Sequence, residues 1–192
     1  MSIQEFKSNF LGGGARPNQF KVELVFPAFA DGAAEAGRVS EFLCKSATLP
    51  GSDLGIAQAY YKGRAIPLAG ERQFRPWDVI VYNDTNFLMR NAFESWMNQI
   101  NNLQYNTGIT NPSAYTVDMQ VHQLGRNGEV LKSYKFIGAF PQMVSPINLD
   151  FGSNDQLEEF QVSFVYAHYV TEFNAKSGIS IGINTPLGGI TL

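Results

Sequence analysis

"YTVDMQVHQLGRNGEVLKSYKFIGAF", residues 115–140, gives the clearest indication of the fold class. Apolar and polar side chains alternate in its first ten residues, which places Val117 and Val121 on one face of a strand. The sequence "GRNG" at 125–128 then turns the chain, and residues 129–140 run back along the first strand. The stretch therefore predicts a β-hairpin, and with it an antiparallel sheet.

The rest of the chain is expected to supply further strands and a single helix. Strands are predicted at 20–26, 38–47, 77–83 and 159–170, short extended pieces at 56–63 and 64–70, and a strand followed by a turn at 146–155. The helix is expected to begin at an N-cap, Asp84 or Thr85, and residues 27–37 to form a loop. Its apolar stripe consists of Met89, Phe93, Trp96, Met97 and Ile100. Since strands and helices do not alternate, the predicted fold is mainly β, an antiparallel β-sandwich or barrel with one flanking α-helix.

One domain is expected to cover residues 1–192, because a chain of this length supports a single core. A hydrophobic content of 44% with 13% aromatic residues is typical of a globular protein. Residues 1–19 are polar and end close to a run of three glycines, which predicts a flexible N-terminal arm. Residues 171–192 hold much glycine and little charge, and they are interpreted as a C-terminal extension.

Composition and charge argue against several classes of function. The formal net charge is −3 and no polybasic run occurs, so dedicated nucleic-acid binding is not expected. No apolar run approaches the roughly 20 residues of a membrane helix, and the N-terminus lacks a signal-peptide pattern, so no membrane anchor is expected. The single cysteine, Cys44, cannot form an internal disulfide and fits a reducing compartment.

The sequence shows no recognisable catalytic or metal-binding pattern. A serine-based triad requires a histidine, and both histidines, His122 and His168, lie within predicted strands. One cysteine and two distant histidines do not give the spacing of a zinc site. We therefore expect neither enzyme activity nor a metal or cofactor.

A charged stretch at 71–78 allows more than one interpretation. Glu71, Arg72, Arg75 and Asp78 are residues that acid–base chemistry uses. However, no nucleophile and no histidine accompany them in the sequence. A contact surface is the favoured interpretation, an ordinary solvated surface the second, and catalysis the third.

Positive and negative charges lie in different parts of the chain. Residues 62–84 carry four basic and three acidic side chains, whereas residues 136–175 contain no Lys or Arg and five carboxylates. Opposite charges on two different patches give register to a head-to-tail contact between copies. The candidate inter-subunit contacts are Arg64, Glu71, Arg72 and Arg75 on the first patch and Asp155, Glu158 and Glu159 on the second.

Four separated blocks of the sequence resemble one protein family. The blocks are "ARPNQFKVEL" (15–24), "FLCKSATLPG" (42–51), "IPLAGERQFRPWDVIVYND" (66–84) and "FPQMVSPINLDFGSNDQLEEFQVSF" (140–164). In this order and spacing they resemble the tail tube proteins of contractile-tailed bacteriophages of the T-even type. That family is related to the tube protein of type VI secretion systems, and the resemblance extends over residues 15–169.

The resemblance implies a structural role without catalytic residues. It implies hexameric rings that share a central β-barrel and stack into a tail tube, which conducts DNA without sequence-specific binding. The implied partners are further copies of the chain, the tail sheath protein, the baseplate hub or tube initiator, the tape measure protein, the tail terminator and DNA in the lumen. Assembly would take place in the host cytoplasm, and the product would be part of the virion.

Two alternative functions stay open from the sequence. A tube protein of a phage-like secretion or injection system would carry the same blocks. A monomeric β-sandwich binding module, for example for glycans, would use Trp77 and surface tyrosines. A hydrolase is the weakest interpretation.

Overall fold

The computed structural model describes residues 2–9 and 14–173 as a mainly antiparallel β protein with helices on it. The helices are α1 (Ile3–Asn9), α2 (Ala33–Leu43), α3 (Leu88–Ile100) and α4 (Pro112–Tyr115). The strands are β1 (Phe20–Glu23), β2 (Cys44–Ala47), β3 (Ser52–Tyr61), β4 (Arg64–Phe74), β5 (Trp77–Tyr82), β6 (Val117–Leu124), β7 (Val130–Val144), β8 (Glu159–Val165) and β9 (His168–Phe173). The predicted fold class is confirmed.

The strands form one large sheet and one separate pair. The large sheet has seven strands: six follow the order β1-β6-β7-β8-β5-β2, and β9 pairs with β7 outside this order. Strands β3 and β4 pair with each other. The long strand β7 pairs with β6 and β9 in its first part and with β8 from Phe140 onward. Strand β7 therefore belongs to both halves of the large sheet, and these halves contribute to one core.

The predicted hairpin is confirmed as β6 and β7. Val121 lies opposite Tyr134, and Met119 lies opposite Phe136. The side chains of Met119 and Val121 are buried, as their alternation predicts. The return strand is longer than expected, because β7 continues to Val144 in order to pair with β8.

Aromatic side chains dominate the core. Trp77 is fully buried and stacks on Phe136 with ring centroids 4.2 Å apart, and its ring centroid lies 5.4 Å from that of Phe164. Its indole nitrogen donates to the carbonyl of Thr48 at 2.8 Å, so the polar edge is also satisfied. Since Trp77 belongs to β5 and Phe136 to β7, this contact joins the two halves of the sheet.

The prediction of a loop at 27–37 followed by a strand at 38–47 is wrong. Helix α2 occupies most of this region, and only the last four residues form β2. Ala36 and Ser40, four residues apart, are buried on one face of α2. The Ser40 hydroxyl accepts a hydrogen bond from the Leu24 amide at 3.2 Å, so the helix packs beside β1. Alanine-rich sequence favours a helix, and this tendency outweighs the β-branched Val39.

Two other predictions need correction. The described residues contain four helices rather than one, and one of them lies within the segment predicted as a flexible arm. No strand forms at 146–155, where the Asp150 carboxylate accepts from the Gly152 amide at 2.9 Å. Such local bonds compete with strand pairing. Of the predicted C-terminal extension, residues 171–173 complete β9, and the remainder lies outside the described residues.

Helix α3 matches the predicted amphipathic helix. Met89, Phe93 and Trp96 are fully buried, as the spacing of apolar residues predicts. The helix begins at Leu88, and its N-cap is Phe87 in the left-handed conformation rather than the predicted Asp84 or Thr85. The Asp84 carboxylate accepts a hydrogen bond from the Leu88 amide at 2.9 Å, so it satisfies one donor at the helix start.

Replacing Asp84 with alanine should lower the free energy of unfolding by about 0.5–2 kcal/mol, because a helix-start amide loses its acceptor. Urea unfolding monitored by circular dichroism measures this change. Thr85→Ala is the matched control, since Thr85 is exposed at the neighbouring position. Equal stability of the Asp84→Ala variant and the parent would contradict the capping role.

Candidate assembly surface

Most residues of the β3–β4 hairpin are exposed. A two-residue turn, Lys62 and Gly63 with φ of 47° and 80°, joins its strands. The exposed large apolar side chains on it are Leu54, Ile56, Tyr60, Tyr61, Ile66 and Leu68. An isolated two-stranded hairpin is only marginally stable in water, and exposed apolar patches mark interaction sites. The hairpin is therefore the leading candidate for an assembly surface.

The hairpin divides into a root and an outer arm at a bulge. Leu54 pairs with Arg72 but Ile56 pairs with Ala69, so β4 carries one extra residue at this point. A Cβ atom on Gly70 would lie 2.8 Å from the carbonyl carbon of Gly55. Glycine thus permits a backbone approach that no other residue allows here. We call residues 52–54 and 72–74 the root, and residues 56–69 the outer arm.

Contacts with the body of the protein hold the root in place. The Phe74 ring lies against Tyr166 and Tyr169, with centroids 5.9 and 5.6 Å away. The Tyr166 hydroxyl donates to the carbonyl of Arg75 at 2.9 Å. The direction of the hairpin is therefore set by an aromatic cluster beneath its root.

Two of the predicted contact arginines lie at the root and have partners within the chain. The Arg75 guanidinium donates to both carboxylate oxygens of Asp53, at 2.8 and 3.2 Å. The Arg72 guanidinium donates to the Ser52 hydroxyl at 2.6 Å. Sequence reasoning missed Asp53, because the strand pairing that brings it near Arg75 spans 22 residues.

The other predicted residues of the basic patch, Glu71 and Arg64, lie elsewhere on β4. Glu71 lies within β4 beside the bulge, and Arg64 begins β4 next to the turn. Both side chains are exposed. The structure therefore does not bring Arg64, Arg72 and Arg75 together as one patch, and it leaves Arg64 at the far end of the hairpin.

The Arg75 guanidinium lowers the pKa of the Asp53 carboxyl from its usual value, chiefly through their hydrogen bonds. A depressed folded-state pKa means that the pair stabilises the fold above the unfolded pKa of Asp53, and that this contribution is lost as pH falls through the folded pKa. In Arg75→Gln, the pKa of Asp53 should rise toward 3.8. NMR titration of the Asp53 carboxyl carbon measures this pKa in the parent and the variant. An unchanged pKa would show that the Arg75–Asp53 ion pair does not persist in solution.

The predicted acidic residues do come together, around a cleft of about 630 Å³ beside β2 and β5. Its lining includes Lys45, Tyr82, Asp155, Leu157, Glu158 and Glu159. Lys45 forms an ion pair with Glu159. Glu158 accepts a hydrogen bond from the side-chain amide of Asn83 at 2.9 Å. Three carboxylates against one ammonium make this acidic cleft negative, with a net charge of −2.

One group of side chains has the composition of a hydrolytic triad. His122 Nδ1 lies 2.7 Å from Ser133 Oγ, and His122 Nε2 lies 3.7 Å from a Glu23 carboxylate oxygen. Ser133, however, sits in the middle of β7, opposite His122 on β6 and Glu172 on β9. Backbone N–H groups around it are engaged in the sheet, whereas a hydrolase requires such donors for an oxyanion. We interpret the group as a link between strands.

The described residues also show no exposed reactive thiol, no metal-site cluster and no membrane-spanning helix. Burial raises the pKa of the Cys44 thiol to about 12, which suppresses the reactive thiolate. No cluster of His, Cys, Asp and Glu within 2–9 and 14–173 has the make-up of a metal site. No helix in these ranges is long and apolar enough to cross a membrane.

Comparisons with known proteins agree on one class of protein. The chain is 28% identical to the tail tube protein of Serratia phage KSP90 over 89% of this chain and 97% of the relative. It is also 28% identical to tail tube protein gp19 of Enterobacteria phage T4, over 82% of this chain and 92% of the relative.

Solved structures share the fold at low sequence identity. The cap that terminates the tube of the anti-feeding prophage matches with a TM-score of 0.60 and 17% identity, over 84% of this chain and 92% of the other. The sheath/tube terminator of an extracellular contractile injection system matches with a TM-score of 0.59 and 13% identity, over 83% of this chain and 96% of the other. The family described as phage tail tube protein matches residues 15–172, and the chain therefore belongs to the phage tail tube protein family.

Proposed function

We propose that this protein assembles into stacked hexameric rings that form the inner tube of a contractile phage tail and conduct DNA during delivery. The observation that carries the proposal is the β3–β4 hairpin, whose apolar side chains lie exposed along both strands. Strands from neighbouring copies would pair with it and close a barrel, and closure removes exposed strand edges. The outer arm would thereby gain strand partners that the described residues do not give it.

The net charge of the protein is consistent with a tube that conducts DNA. Tight binding to DNA requires many Lys or Arg contacts with phosphates, and the affinity then depends strongly on salt. This chain has a formal net charge of −3, so DNA would pass through the lumen without tight or sequence-specific binding. A catalytic role is not part of the proposal.

The proposed partners are the proteins that a tube subunit would contact within a phage tail. They are further copies of the chain, the tail sheath protein, the baseplate hub or tube initiator, the tape measure protein and the tail terminator. Assembly would occur in the host cytoplasm, and the 1–192 chain would act as one tube domain within the virion.

Electron microscopy of the purified protein tests the proposal. We expect rings or tubes with six-fold symmetry, alone or after addition of baseplate and initiator components. A protein that stays monomeric at high concentration under both conditions would contradict it. A variant with residues 56–69 replaced by a two-residue turn is the control, and it should remain folded and monomeric because the outer arm lies outside the core.

A further inference from the structure

The tip of the hairpin carries positive charge and aromatic surface, and its own segment contains no acid. It consists of Tyr60, Tyr61, Lys62, Gly63 and Arg64, and no Asp or Glu occurs between positions 53 and 71. The tyrosines are 75% and 63% exposed. Lys62 Nζ lies 5.5 Å from the Tyr61 ring centroid. Neither Lys62 nor Arg64 has an ion pair in the described part of the chain, so the tip presents two unneutralised cations.

The acidic cleft presents the opposite charge together with an apolar side chain. Lys45 neutralises Glu159, whereas the Glu158 carboxylate bonds a neutral amide and has no ion pair among the described residues. Asp155 has no ion pair among the described residues. Leu157, which lies between these two carboxylates in the sequence, is 73% exposed at the cleft. The cleft thus offers two unneutralised carboxylates and an apolar contact.

We propose that the hairpin tip of one copy docks in the acidic cleft of a second copy. Two cations would meet two carboxylates, and the tyrosine rings would cover Leu157. Such complementarity fixes the register of a contact and disfavours wrong alignments. This inference rests on the proposed self-assembly and names the surfaces that join two copies.

The length of the hairpin would allow its tip to reach a second copy of the chain. The six residues from Ile56 to Tyr61 extend about 20 Å beyond the bulge, at roughly 3.3 Å per residue. Among the described residues, the two strands of the outer arm pair only with each other, and no ion pair joins the tip to the cleft. Since tip and cleft are different patches, their contact is head-to-tail and every copy offers one of each.

The same geometry changes the role of the two arginines at the root. Arg72 and Arg75 were the predicted partners of the acidic residues, but Ser52 and Asp53 already bind them within the chain. We assign them to positioning the hairpin, whereas Lys62 and Arg64 make the contact. Interfacial ion pairs contribute most when the interface excludes water, and the flanking tyrosines would provide that exclusion.

Two charge-reversal variants and their mixture test the inference. Tip variant Lys62→Glu/Arg64→Glu has an acidic tip and an acidic cleft, and cleft variant Asp155→Lys/Glu158→Lys has a basic tip and a basic cleft. Each alone should need at least a tenfold higher concentration to form tubes in electron microscopy or sedimentation. An equimolar mixture should assemble near the parent concentration, because each tip then finds a cleft of opposite charge.

The control reverses the same charge on the other hairpin, in Arg126→Glu/Lys132→Glu, which should assemble like the parent. Circular dichroism should show that all variants are folded and melt cooperatively, since the altered residues lie outside the core. Parent-like assembly of each variant alone would overturn the inference, as would a mixture that stays unassembled. In both cases tubes formed by the parent would leave the proposed function intact, whereas a parent without tubes would contradict the function itself.

Discussion

Replacing Trp77 with alanine should lower the free energy of unfolding by about 3–5 kcal/mol, the largest stability effect that we expect from a single substitution. Trp77 is fully buried, and it stacks on Phe136 at 4.2 Å. The substitution leaves a cavity where the halves of the sheet meet and removes the donor to the Thr48 carbonyl. Since small domains have total stabilities of about 5–15 kcal/mol, much of the protein should unfold at moderate temperature.

Urea unfolding followed by tryptophan fluorescence and circular dichroism measures the effect. Tyr60→Ala is the control, because it also removes an aromatic ring, but one that is 75% exposed on the hairpin. It should change the free energy of unfolding by less than about 0.5 kcal/mol. A loss below about 1 kcal/mol in Trp77→Ala would contradict the central role of this side chain in the core.

The fold could be predicted where the local pattern and the tertiary structure agree. The β6–β7 hairpin and helix α3 each bury one face, and period-two or period-3.6 patterns reveal such faces directly. The pattern failed at α2, where the fully buried residues, Ala36 and Ser40, are small, and Ala33, Val39 and Leu43 are only partly buried against the core. It also failed at 146–155, where Leu149 and Phe151 lie exposed in a turn-rich segment.

The candidate site was less predictable, because its properties arise from pairing and register. Charge separation along the sequence correctly indicated that Asp155, Glu158 and Glu159 form one patch, which the structure places around a cleft. It did not reveal that Asp53 holds Arg75, since that pair depends on the register of two strands. The sequence did indicate short extended pieces at 56–69, but their pairing with each other as a separate two-stranded sheet within the described residues is a tertiary property.

Replacing Gly70 with alanine should impair tube formation more strongly than any other single substitution that leaves the core intact. The new Cβ would lie 2.8 Å from the carbonyl carbon and 2.9 Å from the carbonyl oxygen of Gly55. Both atoms belong to the backbone, so the strands must separate or the bulge must change register. The outer arm would then leave the root at a different angle and meet its neighbours out of register.

We expect the concentration for tube formation to rise at least tenfold, which corresponds to about 1.4 kcal/mol for each subunit added. Sedimentation and electron microscopy measure assembly, while urea unfolding should change little because the bulge is remote from the core. Gly51→Ala is the matched control, since its Cβ would have no atom within 4 Å and should leave assembly unchanged. Parent-like tubes from Gly70→Ala would show that the outer arm does not direct the contact, because a displaced arm cannot present the same strand edges to its neighbours.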